Sequence, residues 1–173
     1  TQIKLAISLA ANRAAYLYKE TMKEIKKLDN GSYNDTPMAV CYKKCYRLKL
    51  KELARRMEFI RDRSKPSNKT NLEISIRELS PIVSASSIAP TYLSTFDYEI
   101  RLNGNDQDGH PLSQSLQQLA ATLFHEMIHL ADYTNTDHDS AEVTNDNWDD
   151  TTETEKMYYE HPEKTLWNKA RQL

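Results

Sequence analysis

Hydrophobic residues recur at three- and four-residue steps in three separate stretches of this chain, and between the second and third they alternate every second residue instead. Ile3, Ile7, Ala10, Ala14, Leu17, Ile25 and Leu28 mark one face of a long first helix. Asp29-Asn30-Gly31 supplies its stop signal, and its alanine-rich stripe suits close packing against another helix. A polar loop runs to Pro37. Cys41, Cys45, Leu48, Leu53, Met57 and Ile60 then predict the core contacts of a second helix that reaches about Arg63, where Lys65-Pro66-Ser67-Asn68 breaks it. From Asn71 the period changes. Leu72, Ile74 and Ile76 alternate with Glu73, Ser75 and Arg77, the pattern of a half-buried strand. Ile82-Val83 and the stretch from Ile88 to Leu93 read as irregular strands punctuated by Pro81 and Pro90, and Tyr98, Ile100 and Leu102 alternate again as a further strand.

Asn103-Gly104-Asn105-Asp106 and Asp108-Gly109 make the turn into a third helix. Leu116, Leu119, Ala120, Leu123, Met127, Leu130 and Ala131 form its apolar stripe, with Pro111 and the Ser115-x-x-Gln118 pair as start signals. Past Tyr133 the chain turns polar and acidic. A short helix from about Thr152 to Glu160, ended by Pro162, fits the pattern there, and Trp148, Tyr158, Tyr159 and Trp167 argue that part of this segment packs on the body.

The order is helix, helix, a few strands, helix, which predicts an α+β fold with two long N-terminal helices, a small mixed sheet and a central third helix. At 173 residues and 39% hydrophobic the chain is the size of one domain with one core. We divide it into a helical, partly basic part (1–65), a sheet with the third helix (71–133) and an acidic C-terminal segment (134–173). Its net charge of -2 suggests no polyanion partner globally. Residues 43–65 nevertheless carry Lys43, Lys44, Arg47, Lys49, Lys51, Arg55, Arg56, Arg61, Arg63 and Lys65 against only Glu52, Glu58 and Asp62. This segment is either a nucleic-acid patch, a partner for the acidic 132–163 stretch, or a solvated helix face. Cys41 and Cys45, one helical turn apart, are too few for a metal cage and read as small buried hydrophobes. No run approaches the roughly 20 apolar residues of a membrane span and no signal-peptide pattern opens the chain, so a soluble intracellular protein is the default expectation. Oligomeric state is not legible.

The chemistry is concentrated in His125-Glu126-Met127-Ile128-His129. On a helix, HExxH places two imidazoles one turn apart on the same face, able to reach one metal ion, with a glutamate between them available as a base. Phe124 and Ile128 flank the apolar stripe, so two histidines here are not simply solvated. The competing reading is a pair of surface or core histidines that fit a short pattern by accident. Hydrolytic zinc sites take three protein ligands and keep a position for water, whose pKa the metal lowers from about 15.7 to roughly 7. Glu126 would then accept the water's proton and return it to the leaving amine. Tyr133, Tyr158 and Tyr159 are candidate donors to the oxyanion, with packing as their alternative role. The strand Tyr98–Leu102 offers a place for an extended peptide to pair, which points to a protein or peptide substrate.

For the third ligand His138 is the best candidate by residue type, followed by Asp137 and Asp139, then Glu153, Glu155 or Glu160 should the acidic segment fold back. His110 and His161 read as surface histidines. Asp132-Tyr133-Thr134-Asn135 lacks the Gly and His of the extended metzincin pattern.

Tyr98-Glu-Ile-Arg-Leu102, the turn after it, Leu119-Ala-Ala-Thr-Leu-Phe-His-Glu-Met-Ile-His-Leu130 and a histidine shortly downstream resemble the core of the SprT-like (Spartan-like) zinc metallopeptidases over residues 92–142. The resemblance implies a zincin-like fold, zinc on His125, His129 and His138, and a catalytic Glu126. It also implies proteolysis of DNA-crosslinked proteins, which would give the basic segment a use. The gap from His129 to His138 is shorter than that family's, Asp139 follows His138 where the family commonly has Gly, and a cysteine-rich zinc ribbon is lacking. Thr136-Asp137 resembles the aspzincins and related bacterial effector proteases, and a distal Glu155 would resemble toxin-like gluzincins. A non-catalytic zinc-binding interaction module is the alternative of another class.

Overall fold

Helix-forming residues fill the first 29 positions, and the turn that follows them ends the helix for a local reason. In the computed structural model, which describes residues 2–31, 37–64, 72–79, 85–88, 98–105, 114–133 and 156–172, α1 spans Gln2–Asp29. Gly31 adopts φ 73°, a left-handed value that glycine takes without the clash a Cβ would bring. Its N–H donates to the Leu28 carbonyl and that of Asn30 to Lys26, so two of the last four carbonyls of α1 are used. α2 spans Pro37–Arg63. The two pack as an antiparallel hairpin, with Arg47 paired to Asp29 near one end and the Arg61 guanidinium 4.7 Å from the Tyr18 ring centroid further along.

The buried face of α1 is Ala6, Ala10, Ala14, Leu17, Thr21, Glu24, Ile25 and Leu28. The three alanines at four-residue spacing let a neighbouring backbone approach closely, and α1 packs extensively on both α2 and α3. On α2 the buried stripe is Tyr46, Leu50, Leu53, Ala54, Met57 and Ile60. This corrects the expected register at its start, since Cys45 is exposed and Leu48 only half-buried. Tyr46 one position on carries the stripe, and a helix turns about 100° per residue, which points Cys45 outward. The side chain of Cys41 lies outside the described residues.

β1 (Glu73–Arg77), β2 (Ala85–Ile88) and β3 (Glu99–Asn103) form a mixed three-stranded sheet in the order β1-β3-β2. β1 runs parallel to β3 with Ile74 opposite Ile100 and Ile76 opposite Leu102. β2 is antiparallel to β3, Ala85 opposite Leu102. Ile100 and Leu102 are buried, while Ile76 is 65% exposed despite the alternation that assigned it to the core side. At the end of β3 the Asn103 side-chain oxygen accepts the N–H groups of Leu79 and Asn105, and the Gly104 N–H reaches the Arg77 carbonyl. Ile82-Val83 and residues 89–93 lie outside the described residues.

α3 spans Leu116–Tyr133, and α4 spans Pro162–Gln172 after a helical turn at 156–159. The helical turn at 156–159 ends short of Pro162, as its sequence predicts. Pro162 also opens α4, because at the first helical position its missing N–H and fixed φ cost nothing, and the His161 carbonyl accepts from the Lys164 N–H and the Thr165 hydroxyl. One buried cluster runs through α1, α2, β3, α3, the 156–159 turn and α4, including Leu17, Met57, Ile100, Phe124, Met157 and Leu166. The architecture is mixed α and β, mostly helical. Among the described residues no helix is long and apolar enough to cross a membrane.

Candidate metal centre

The start of α3 is fixed by the reciprocal pair its sequence predicts. Ser115 Oγ accepts the Gln118 N–H at 3.2 Å and Gln118 Oε1 accepts the Ser115 N–H at 2.9 Å, so two donors that the helix leaves unused are satisfied. The apolar stripe then holds α3 in the core. Leu123, Phe124, Met127 and Ile128 are fully buried, and the helix packs against α1, α2, β2 and β3.

Burial extends to the polar residues of the motif. His125 is 8% and Glu126 6% exposed, while His129 is intermediate. Taking an ionisable carboxyl and an imidazole this far out of water is costly unless each is engaged. The helical spacing brings the two rings together, with centroids 4.6 Å apart and planes at 80°. Their Nε2 atoms are 2.9 Å apart. Without a metal, one imidazole donates to the other across that distance. The donor set also fits a transition-metal ion. A tetrahedral centre with bonds of about 2.0–2.1 Å to both nitrogens separates them by roughly 3.3 Å, a small rotation from the observed spacing.

Of the expected third ligands, only Glu160 is among the described residues. His138, Asp137, Asp139, Glu153 and Glu155 lie outside the described residues. Glu160 is described, half-buried behind the 156–159 turn, and its carbonyl accepts from the Arg13 guanidinium. Among the described residues no three His, Cys, Asp or Glu side chains group as a metal site, so Glu160 does not complete one there. His110 is outside the described residues. His161 is exposed, and its Nδ1 faces the Glu163 N–H at 3.5 Å near the start of α4.

Two of the expected oxyanion donors, the buried Tyr158 and the exposed Tyr159, engage the first turn of α3. Tyr158 and Tyr159 direct their hydroxyls at the Gln117 side chain and carbonyl, each at 3.4 Å. Gln117 precedes His125 by eight residues, about 12 Å along the helix. Burial, which disfavours the phenolate, holds the Tyr158 hydroxyl above its ordinary pKa. The Tyr133 side chain lies outside the described residues. The strand expected to receive a peptide is corrected by the topology. β3 is the central strand, already paired on both sides, so its backbone groups are spent on β1 and β2. The edges among the described residues belong to β1 and β2, and β2 is the edge strand that packs on α3.

The basic run of α2 pairs much of its charge within the molecule. Arg47 pairs with Asp29, Arg55 and Arg56 with Glu52, and Arg61 with Asp62 and Glu58. The Arg63 guanidinium lies 5.1 Å from the Phe59 and 5.0 Å from the Tyr98 ring centroids. Lys44 and Lys51 are exposed. The buried member of this run, Arg56 at 1% exposure, was not anticipated. Its signal was the spacing of Glu52, Arg55 and Arg56, which puts both guanidiniums within one turn of the carboxylate.

No protein-family model matches the chain, and neither a curated protein nor a solved structure matches it at a significant level. The likeness of residues 92–142 to SprT-like peptidases therefore stands on the motif residues alone.

Proposed function

We propose that this protein is a zinc-dependent endopeptidase, with His125 and His129 as metal ligands and Glu126 as general base. The observation that carries the reading is the 2.9 Å approach of the two Nε2 atoms on a helix whose intervening glutamate is itself buried. His138 is the third ligand we favour, in keeping with the SprT-like resemblance. The aspartates beside it or a distal glutamate would move the protein toward the aspzincin- or gluzincin-like effector proteases. When bound, zinc supplies Lewis acidity toward a peptide carbonyl and toward water. Glu126 removes the proton from the attacking water and delivers it to the departing amine, so no free amide anion has to leave. Its burial limits competition from solvent, which strengthens its electrostatic effect on the reacting atoms. The core packing of α3 keeps the imidazoles and the carboxylate in fixed register, so little reorganisation accompanies the reaction.

The substrate class is a protein or peptide in extended form, and a sheet-edge contact at β2 accounts for its recognition better than one at β3. A nucleic-acid partner would have to compete with the intramolecular pairs of Arg47, Arg55, Arg56 and Arg61. The test is hydrolysis of unfolded casein by purified protein with and without a chelator, beside Glu126→Gln. The expected result is cleavage that a chelator abolishes and that Glu126→Gln lowers by about 10²- to 10⁴-fold while the metal is retained. Metal binding without cleavage in either protein would replace this reading with that of a zinc-binding interaction module.

A further inference from the structure

The C-terminal end of α3 is held by α2 through a charged side chain, Arg55, that a buried charged pair of α2 supports. Glu52 is 2% and Arg56 1% exposed. Replacing a buried ion pair with well-packed apolar residues is often neutral or stabilising, so stability alone gives no reason for a carboxylate at this position. Its geometry suggests another. Arg55 forks onto Glu52, Nε to Oε2 at 2.9 Å and Nη2 to Oε1 at 2.6 Å, while Arg56 Nε reaches Oε1 at 3.0 Å. The same Nη2 of Arg55 donates to the Ala131 carbonyl at 2.9 Å. Ala131 belongs to the last four residues of α3, whose carbonyls have no N–H within the helix to accept from, and a cation there complements the helix dipole.

Ala131 follows His129 by two residues. The chain that continues past Tyr133 carries His138, Asp137 and Asp139. We propose that Glu52 and Arg55, with Arg56 behind them, are positioning residues for the metal site. They fix the last turn of α3, and with it the His129 ring. Glu52 aligns the guanidinium, and Arg55 holds the carbonyl. The inference rests on the zinc reading above.

The test measures zinc affinity by chelator competition, and the visible absorption of the Co2+ form, in wild type, Arg55→Met, Arg55→Lys and Glu52→Gln, with urea unfolding in parallel. Arg55 is 29% exposed, so its replacement leaves the core intact. Ile60→Val, a change in a fully buried residue of the same helix, controls for a general loss of stability. Arg55→Met and Glu52→Gln are expected to weaken zinc about ten- to a hundredfold, the usual effect of losing a group that orients a ligand, and to shift the Co2+ band. Arg55→Lys, which keeps the charge without the fork, falls between, and Ile60→Val stays within about twofold of wild type. Wild-type affinity in Arg55→Met overturns the positioning role and leaves the metal site standing. A wild type that binds no metal overturns both.

Discussion

Phe124 packs α3 against the 156–159 turn immediately before the motif. Its side chain is fully buried, and its ring lies 5.6 Å from that of Tyr158 at 59°. Phe124→Ala removes the ring contact and leaves a cavity between α3 and the 156–159 turn. Such a change at a fully buried phenylalanine costs about 3–5 kcal/mol, the spread reflecting how far neighbours collapse into the space. About 0.5–1.5 kcal/mol of that belongs to the ring pair itself. A domain of this size is stable by roughly 5–15 kcal/mol, so the variant should remain folded with much of its margin gone. With a urea m value of about 2 kcal/mol/M, the unfolding midpoint falls by roughly 1.5–2.5 M. A cycle of Phe124→Leu and Tyr158→Leu isolates the pair, with an expected coupling of about 0.5–1.5 kcal/mol. A loss below about 1.5 kcal/mol in Phe124→Ala, or a coupling near zero, would refute the packing described here.

Three smaller perturbations follow from local geometry. Ser115→Ala removes the acceptor for the Gln118 N–H and should cost about 1 kcal/mol in urea unfolding; an unchanged midpoint would contradict the cap. Gly31→Ala meets no neighbouring atom within 4 Å, so its cost is the left-handed φ alone, about 1 kcal/mol; a stabilised variant would count against that conformation. The Glu99 carboxyl is held below its ordinary value of 4.5, chiefly by its hydrogen bond from Arg101 and also by the Ser75 hydroxyl. A folded-state pKa below the unfolded one gives stability that is present above the unfolded value and lost as pH falls through the folded value. Glu99→Gln should therefore narrow the difference between unfolding midpoints at about pH 6 and about pH 3, and an unchanged difference would show that Glu99 contributes nothing to it.

The three long helices were legible because each buries one continuous stripe and ends on a local signal, Gly31 for α1 and the Ser115/Gln118 pair for the start of α3. β3 was legible for the same reason, since Ile100 and Leu102 alternate with polar residues and both are buried. What it pairs with was not. Strand order depends on contacts distant in sequence, and β2 is Ala-Ser-Ser-Ile, small and polar residues that carry little strand pattern. Cys45 was misjudged because its usual preference was read without its register; the rotation of about 100° that separates it from Tyr46 exposes it. Pro162 was read only as a stop, while its place at the first helical position also makes it the opener of α4. Of the candidate site, the His125/His129 pairing followed from spacing alone. The charged grip of α2 on the Ala131 carbonyl did not, because it joins residues 76 positions apart.

The central claim is that His125 and His129 hold one zinc ion, and elemental analysis of purified protein after dialysis tests it most directly. The account predicts one zinc per chain in wild type and in Glu126→Gln, and none in His125→Ala or His129→Ala while both variants still unfold cooperatively. Wild type without stoichiometric zinc, or histidine variants that retain it, would contradict the account and leave the 2.9 Å contact as a hydrogen bond between a buried and a half-buried histidine.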